Sequence, residues 1–131
     1  MAADVVGRAL PAQTLASLDL AVATKDAFAS YCAELLAGLG AVRVRRMFGG
    51  HGIYVDDLFI AIVAGERLYL KVDDASRARF EAAGCAPFTY SAKGRGRVSI
   101  SYREAPAEAL DSAAAMRPWA ALAMEAALRA R

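Results

Sequence analysis

The stretch Gly49-Gly50-His51-Gly52 places the chain's single histidine among three glycines. Glycine-rich loops let backbone N–H groups approach a phosphate closely, provided that the loop opens onto a helix N-terminus. Here the flanking residues read as strands, and no Lys-Ser or Lys-Thr pair follows. The four residues Gly49, Gly50, His51 and Gly52 are therefore read as a structural turn, with His51 a turn or surface histidine. A histidine-based zinc site would need cysteine or carboxylate partners, and Cys32 and Cys85 have no paired spacing with His51. As a general base, His51 would need a nucleophile or an acid brought to it by the fold. No catalytic residue, metal ligand or cofactor is expected from these patterns.

Two basic clusters are the other candidates. Arg43, Arg45 and Arg46 form one, and Lys93, Arg95 and Arg97 the other, with Tyr90 and Tyr102 flanking the second. Brought together, they could hold a phosphate backbone while the rings stack on bases, which is weak nucleic-acid binding. Strand alternation limits this, because Arg43 and Arg45 share one face and Arg46 takes the other. A solvated sheet face, or a partner- or anion-binding surface, satisfies the same pattern.

The remaining groups read as architecture. Asp56-Asp57 and Asp73-Asp74 sit where turns and helix caps favour Asp, and the spaced Asp-x-Asp-x-Asp-Gly calcium pattern is missing. Ser91, Ser99 and Ser101 lack the Gly-x-Ser-x-Gly setting of a nucleophile elbow. Cys32 and Cys85 are expected to be buried, reduced thiols. Met47-Phe48 and the helix around Trp119 could face a partner, but apolar residues at such spacing usually belong to the core.

The elements that must position these residues follow from hydrophobic period. Phe28, Tyr31, Cys32, Leu35 and Leu39 recur at helical spacing after Thr24, which can cap the helix, and Gly38 or Gly40 can end it. The period then falls to two. Val42 and Val44 alternate with arginines, Ile53-Tyr54-Val55 and Leu58 to Val63 are rich in β-branched and aromatic residues, and Leu68, Leu70 and Val72 alternate with Tyr69 and Lys71. Residues 43–72 are thus expected to form an antiparallel β-meander turned at Gly49-Gly50-His51-Gly52. A short helix capped by Asp73 or Asp74 and stopped at Gly84 comes next, with Phe80 inward. A hairpin follows over Phe88 to Tyr102, and after Pro106 the pattern is helical to the end.

The 131 residues suit one domain with one core, and their non-alternating element order favours an α+β fold with an antiparallel sheet over a doubly wound parallel one. Residues 1–24 read as a partly helical or disordered extension, and residues 25–131 as the domain. A net charge of +2 is too mild to announce nucleic-acid binding. No apolar run approaches the ~20 residues of a membrane span, and the N-terminus lacks a signal-peptide pattern, so a cytoplasmic protein without membrane contact is expected.

Several motifs together carry a family likeness. Arg46-Met47-Phe48-Gly49-Gly50-His51-Gly52-Ile53-Tyr54-Val55 resembles the start of the TfoX N-terminal domain, of the TfoX/Sxy family of bacterial competence regulators. Leu68-Tyr69-Leu70-Lys71-Val72, Phe80-Glu81-Ala82-Ala83-Gly84, Pro87-Phe88-Thr89-Tyr90, Ser101-Tyr102 before Pro106, and Trp119 extend it from about residue 25 to the C-terminus. The resemblance implies a five-stranded antiparallel sheet with helices packed on it, in the order α-β-β-β-α-β-β-α and similar to secretion-chaperone-like folds. Full-length members of that family carry a second, helical domain and act with the cyclic-AMP receptor protein on competence genes. The likeness therefore implies a stand-alone N-terminal module and brings no catalytic residues with it.

Three functions follow as expectations. The leading one is a non-enzymatic regulatory module that binds another protein, with the transcription machinery among the candidate partners, through a sheet face, a sheet edge or a helix surface. Weak nucleic-acid binding through the basic clusters is the second, and a small-molecule sensor or enzyme near His51 or Tyr54 the third. An open sheet edge leaves homodimer formation an open choice.

Overall fold

The computed structural model describes residues 17–47, 49–92 and 95–131. A helix, α1 (Ser17–Leu36), runs into a 3-10 turn (Ala37–Leu39) and is followed by four strands: β1 (Val42–Met47), β2 (Gly50–Val55), β3 (Leu58–Ala64) and β4 (Arg67–Lys71). A short helix, α2 (Arg77–Ala82), leads to β5 (Pro87–Ala92) and β6 (Arg95–Glu104). A second 3-10 turn (Ala107–Asp111) precedes the last helix, α3 (Ala113–Arg129). The strands make one antiparallel sheet in the order β1-β2-β3-β4-β6-β5.

The α+β class and the antiparallel sheet agree with the sequence reading, but the sheet has six strands and not five. The difference lies at the glycines. Met47 pairs with Gly50, so the chain reverses between those two residues, with Gly49 at φ 79°. What could have been one bent strand is a tight hairpin, and His51 and Gly52 fall inside β2 rather than in the turn. Gly50 is required there for a second reason: a Cβ at this position would lie 2.3 Å from the carbonyl oxygen of Val63 on the neighbouring strand.

The next two hairpins are equally short. Asp56 and Asp57 connect β2 to β3 with φ of 50° and 66°, and Gly65 and Glu66 connect β3 to β4 with φ of 59° and 60°. Two successive positive φ values match the right-handed twist of the flanking strands, a conformation that Asp and Gly adopt at low cost. Asp56 also holds the end of β1, since its carboxylate accepts from Ala41 N at 2.9 Å and its own N–H donates to Ala41 O at 2.8 Å.

Alternation then decides the two faces. His51, Ile53 and Val55 on β2, Ala61 and Val63 on β3, and Leu68 and Leu70 on β4 are buried on the side that carries the helices. Ile60 is the unpaired residue of a bulge between Ile53 and Tyr54, and it too is fully buried. From above, α1 brings Ala29, Cys32, Leu35 and Leu36, while α3 brings Met116, Ala120, Ala123 and Ala127. Small alanines on α3 let it lie close to β3 and β4. Each large aliphatic side chain buried here contributes ~1.5–3 kcal/mol relative to exposure.

Helix α2 is fixed at both ends. The Asp73 carboxylate accepts from the backbone N–H of Ala75 and Ser76 at its start. At its end Gly84 has φ 77°, Gly84 N donates to Glu81 O, and Cys85 N donates to Phe80 O. This is a Schellman closure, with buried Phe80 and Cys85 as its apolar contact. Phe80 packs edge-on against Trp119 of α3, ring centres 5.1 Å apart.

Two boundaries differ from the sequence reading. Helix α1 begins at Ser17, within the stretch expected as a partly helical extension and ahead of the Thr24 expected to cap the helix, while residues 1–16 lie outside the described residues. The chain after Pro106 makes a 3-10 turn before α3 starts at its Ser112 cap, whose hydroxyl accepts from Ala115 N at 3.0 Å. Pro118 sits within α3. It is tolerated because the carbonyl it leaves without a donor, that of Ala114, is on an exposed residue that water can reach.

Candidate functional site

His51 is only 9 % exposed and lies on the helix-facing side of β2. Its Nε2 is 3.1 Å from Asp26 Oδ1, and Arg46, the residue paired with it on β1, donates to Asp26 Oδ2 at 2.5 Å. One carboxylate on α1 thus receives two side chains from the first hairpin. Partial burial pushes the Asp26 carboxyl upward, but the hydrogen bonds from His51 and Arg46 outweigh it and hold the group below the usual carboxylate value. Around this network is an open cleft lined by Asp26, Ala29, Ser30, Val44, Arg46 and His51.

An aspartate on a histidine nitrogen is half of an acid–base relay. The other half is missing: Ser30 shares the cleft, yet among the described residues no hydroxyl or thiol hydrogen-bonds to His51. The arrangement therefore reads as a polar clasp that seats α1 on the β1–β2 hairpin. Among the described residues no group of three or more His, Cys, Asp or Glu side chains could hold a metal ion. Cys32 is fully buried and its thiol is pushed up to about 12, and burial raises Cys85 as well, so both favour the unreactive protonated form.

The opposite face of the sheet carries no helix among the described residues. Arg43 lies 4.8 Å over the ring of Tyr54 on β2, whose centre is 5.0 Å from that of Phe59 on β3. Phe59 is 6.0 Å from Tyr102 on β6, and Lys71 of β4 sits 5.2 Å over the Tyr102 ring. Three rings thus form a lane across the sheet with a cation at each end. Met47 and Phe59 close over Gly52 from either side, so close that a Cβ on Gly52 would meet Met47 Cε and Phe59 Cε1 at 2.6 Å each. Beside the lane, Tyr69 packs on Phe88 at 4.8 Å, and β6 adds exposed Val98 and Ile100. Burial, and then the neighbouring Tyr54, raise the Tyr102 phenol above its ordinary value, so it remains a neutral donor.

The basic clusters are separated. Arg43, Arg45 and Arg46 line β1, the edge strand, whereas Arg95 and Arg97 are on β6 beside the other edge. Lys93 lies outside the described residues. Three strands intervene, so at ~4.8 Å per strand the two groups are ~19 Å apart in the hydrogen-bonding direction. Within the first cluster the alternation holds: Arg46 reaches α1, while Arg43 faces the lane and bonds to Asp57 at 3.3 Å. Arg45 has no acidic partner among the described residues.

Sequence reading missed both Asp26 and the aromatic lane. The signal for the lane was present: Tyr54, Phe59, Tyr69 and Tyr102 occupy the alternate positions to the buried Ile, Val and Leu. For His51 the signal was its even spacing from Ile53 and Val55, which puts all three on one face.

No curated protein matches the chain in sequence. The family model described as the TfoX N-terminal domain matches residues 34–127, from the end of α1 through nearly all of α3. With the glycine hairpin, the whole sheet, α2 and nearly all of α3 inside that match, this chain belongs to the TfoX N-terminal domain family.

Proposed function

We propose that the chain is a non-enzymatic regulatory module, of the competence-regulator kind, that docks another protein on the open face of its sheet. The observation that carries this reading is the lane Arg43–Tyr54–Phe59–Tyr102–Lys71, which is aromatic, half-buried and left uncovered by every described helix. Aromatic rings bring large contact area at little entropic cost, and interface hot spots concentrate in such residues. Arg43, Arg45 and Lys71 around the rings favour a partner that presents carboxylates beside apolar side chains. Membership of the TfoX N-terminal domain family supports a regulatory, transcription-related role, and among the described residues no helix is long and apolar enough to cross a membrane. A cytoplasmic partner belongs to the same proposal.

The test is affinity capture from extract of the native cell with wild type, Tyr102→Ser, Lys71→Glu and, as a control on α3, Arg117→Ala. Specific proteins retained by wild type and Arg117→Ala but lost with Tyr102→Ser and Lys71→Glu support the reading, provided that all variants melt as one cooperative transition. Retention that disappears with nuclease treatment would transfer the lane to nucleic acid, since stacked rings flanked by cations also suit single strands. Equal retention by all four proteins would overturn the proposal.

A further inference from the structure

Strand β1 pairs with β2 along one side only, so its other side presents unpaired backbone groups to solvent among the described residues. Bare edges of this kind accept a further strand unless something blocks them. Here the edge sequence is Val42-Arg43-Val44-Arg45-Arg46-Met47, with Arg43, Val44, Arg45 and Arg46 all exposed. The edge is therefore open in its backbone and strongly positive in its side chains.

Self-pairing is disfavoured by that charge. In any register that continues the sheet with a second β1, residues of the same face meet, so arginines of one copy fall opposite arginines of the other. The same arrangement favours a strand of opposite sign. Among the described residues Arg45 has no acidic partner, and Arg43 has only Asp57 at 3.3 Å, whose side chain is 88 % exposed. On the helix-facing side, Val44 lines the open cleft of about 210 Å³ together with Ala29, Ser30, Arg46, Asp26 and His51. A side chain opposite Val44 on an added strand would enter that cleft.

We infer that β1 is a strand-addition site for an acidic extended segment of a partner protein, with carboxylates facing Arg43 and Arg45 and small apolar side chains entering the cleft beside Val44. This rests on the interaction-module reading for its biological sense; it shares Arg43 with the aromatic lane but needs none of the lane's rings. Backbone pairing supplies the affinity of such a complex and the alternating side chains supply the selection.

The probe is a short fluorescein-labelled peptide of alternating Glu and Val, titrated into the full chain and followed by anisotropy, with backbone amide shifts read by NMR. Binding is expected to shift the amides of residues 42–47, to weaken about tenfold in Arg45→Glu, and to weaken as salt rises. A Lys-Val peptide is expected not to bind. An N-methylated Glu-Val peptide keeps the charge but cannot form the ladder, and it is expected to lose the affinity. Equal binding of the methylated peptide, shifts centred away from β1, or no binding at millimolar peptide would each overturn the inference. Tyr102→Ser separates the two proposals: it is expected to bind the peptide as wild type does. Loss of peptide binding there would mean that the peptide sits on the lane and not on the edge.

Discussion

The Asp26 carboxylate on α1 is shared between His51 on β2 and Arg46 on β1, at 3.1 and 2.5 Å. The consequence is a pH-dependent seat for the helix. Asp26 is held below the ordinary carboxylate value, so its contribution is complete above that range and is lost as pH falls through the lowered value. Asp26→Asn is expected to melt at a lower temperature than wild type near neutral pH, with the gap narrowing once acidification passes below the ordinary carboxylate range. Circular-dichroism melts across that range check it; a gap of constant size would show that the charge on Asp26 is not what seats α1.

Gly50 and Gly52 differ in what surrounds them, and their alanine variants are expected to differ accordingly. At Gly50 the obstruction is the backbone oxygen of Val63, which cannot move without breaking the sheet. At Gly52 it is the tip of Met47 and the edge of the Phe59 ring, and Met47 is flexible. Gly52→Ala should cost ~1–3 kcal/mol, the usual range for overpacking, and Gly50→Ala more. Adding Met47→Ala to Gly52→Ala should recover part of the loss, whereas the same addition to Gly50→Ala should recover nothing. Denaturant unfolding of the set ranks them directly.

These two glycines also show where the sequence was legible. Period-two alternation in Leu68 to Val72 and the caps at Asp73 and Gly84 are local signals, and the strands and helix they announce are present. Whether Gly49-Gly50-His51-Gly52 bends one strand or separates two depends on the register of Met47 against Gly50, which is a pairing across the chain. The same limit hid Asp26. Its partners are on strands that approach α1 only in the folded sheet, so nothing local in the sequence marks Asp26 as the acceptor for His51 and Arg46. The two basic clusters fail to meet for a topological reason, namely that β1 and β5 are the two edges.

Asp73 ties the start of α2 to the last turn of α3. It accepts from the first N–H groups around α2 and receives Nε and Nη2 of Arg129, in the last turn of α3, at 2.6 and 3.0 Å. Hydrogen bonding to Arg129, against a smaller opposing effect of burial, lowers the Asp73 carboxyl to about 2. A depressed carboxylate contributes fully above its unfolded value of ~3.9 and loses the contribution as pH falls through the folded one. Arg129→Ala is therefore expected to lower the melting temperature at neutral pH and to flatten the acid limb between about pH 4 and about pH 2. An acid limb as steep as that of wild type would assign it to other carboxylates.

Cys32 offers a test of the core that does not depend on stability measurements. It is fully buried among α1, the sheet and α3, and with its thiol pushed up to about 12 almost none is thiolate at neutral pH. Cys85 is 7 % exposed beneath the Schellman closure of α2, and burial raises it too. Alkylation needs both a thiolate and a path to it, so the native protein should resist iodoacetamide at both cysteines and take up two equivalents once unfolded in guanidinium. Cys85 should label before Cys32 in intermediate denaturant if α2 opens ahead of the core, and peptide mapping of the alkylated sites resolves the order. Fast labelling of Cys32 in native conditions would show that α1 leaves the sheet without global unfolding, and the Asp26–His51 clasp would then be a hinge rather than an anchor.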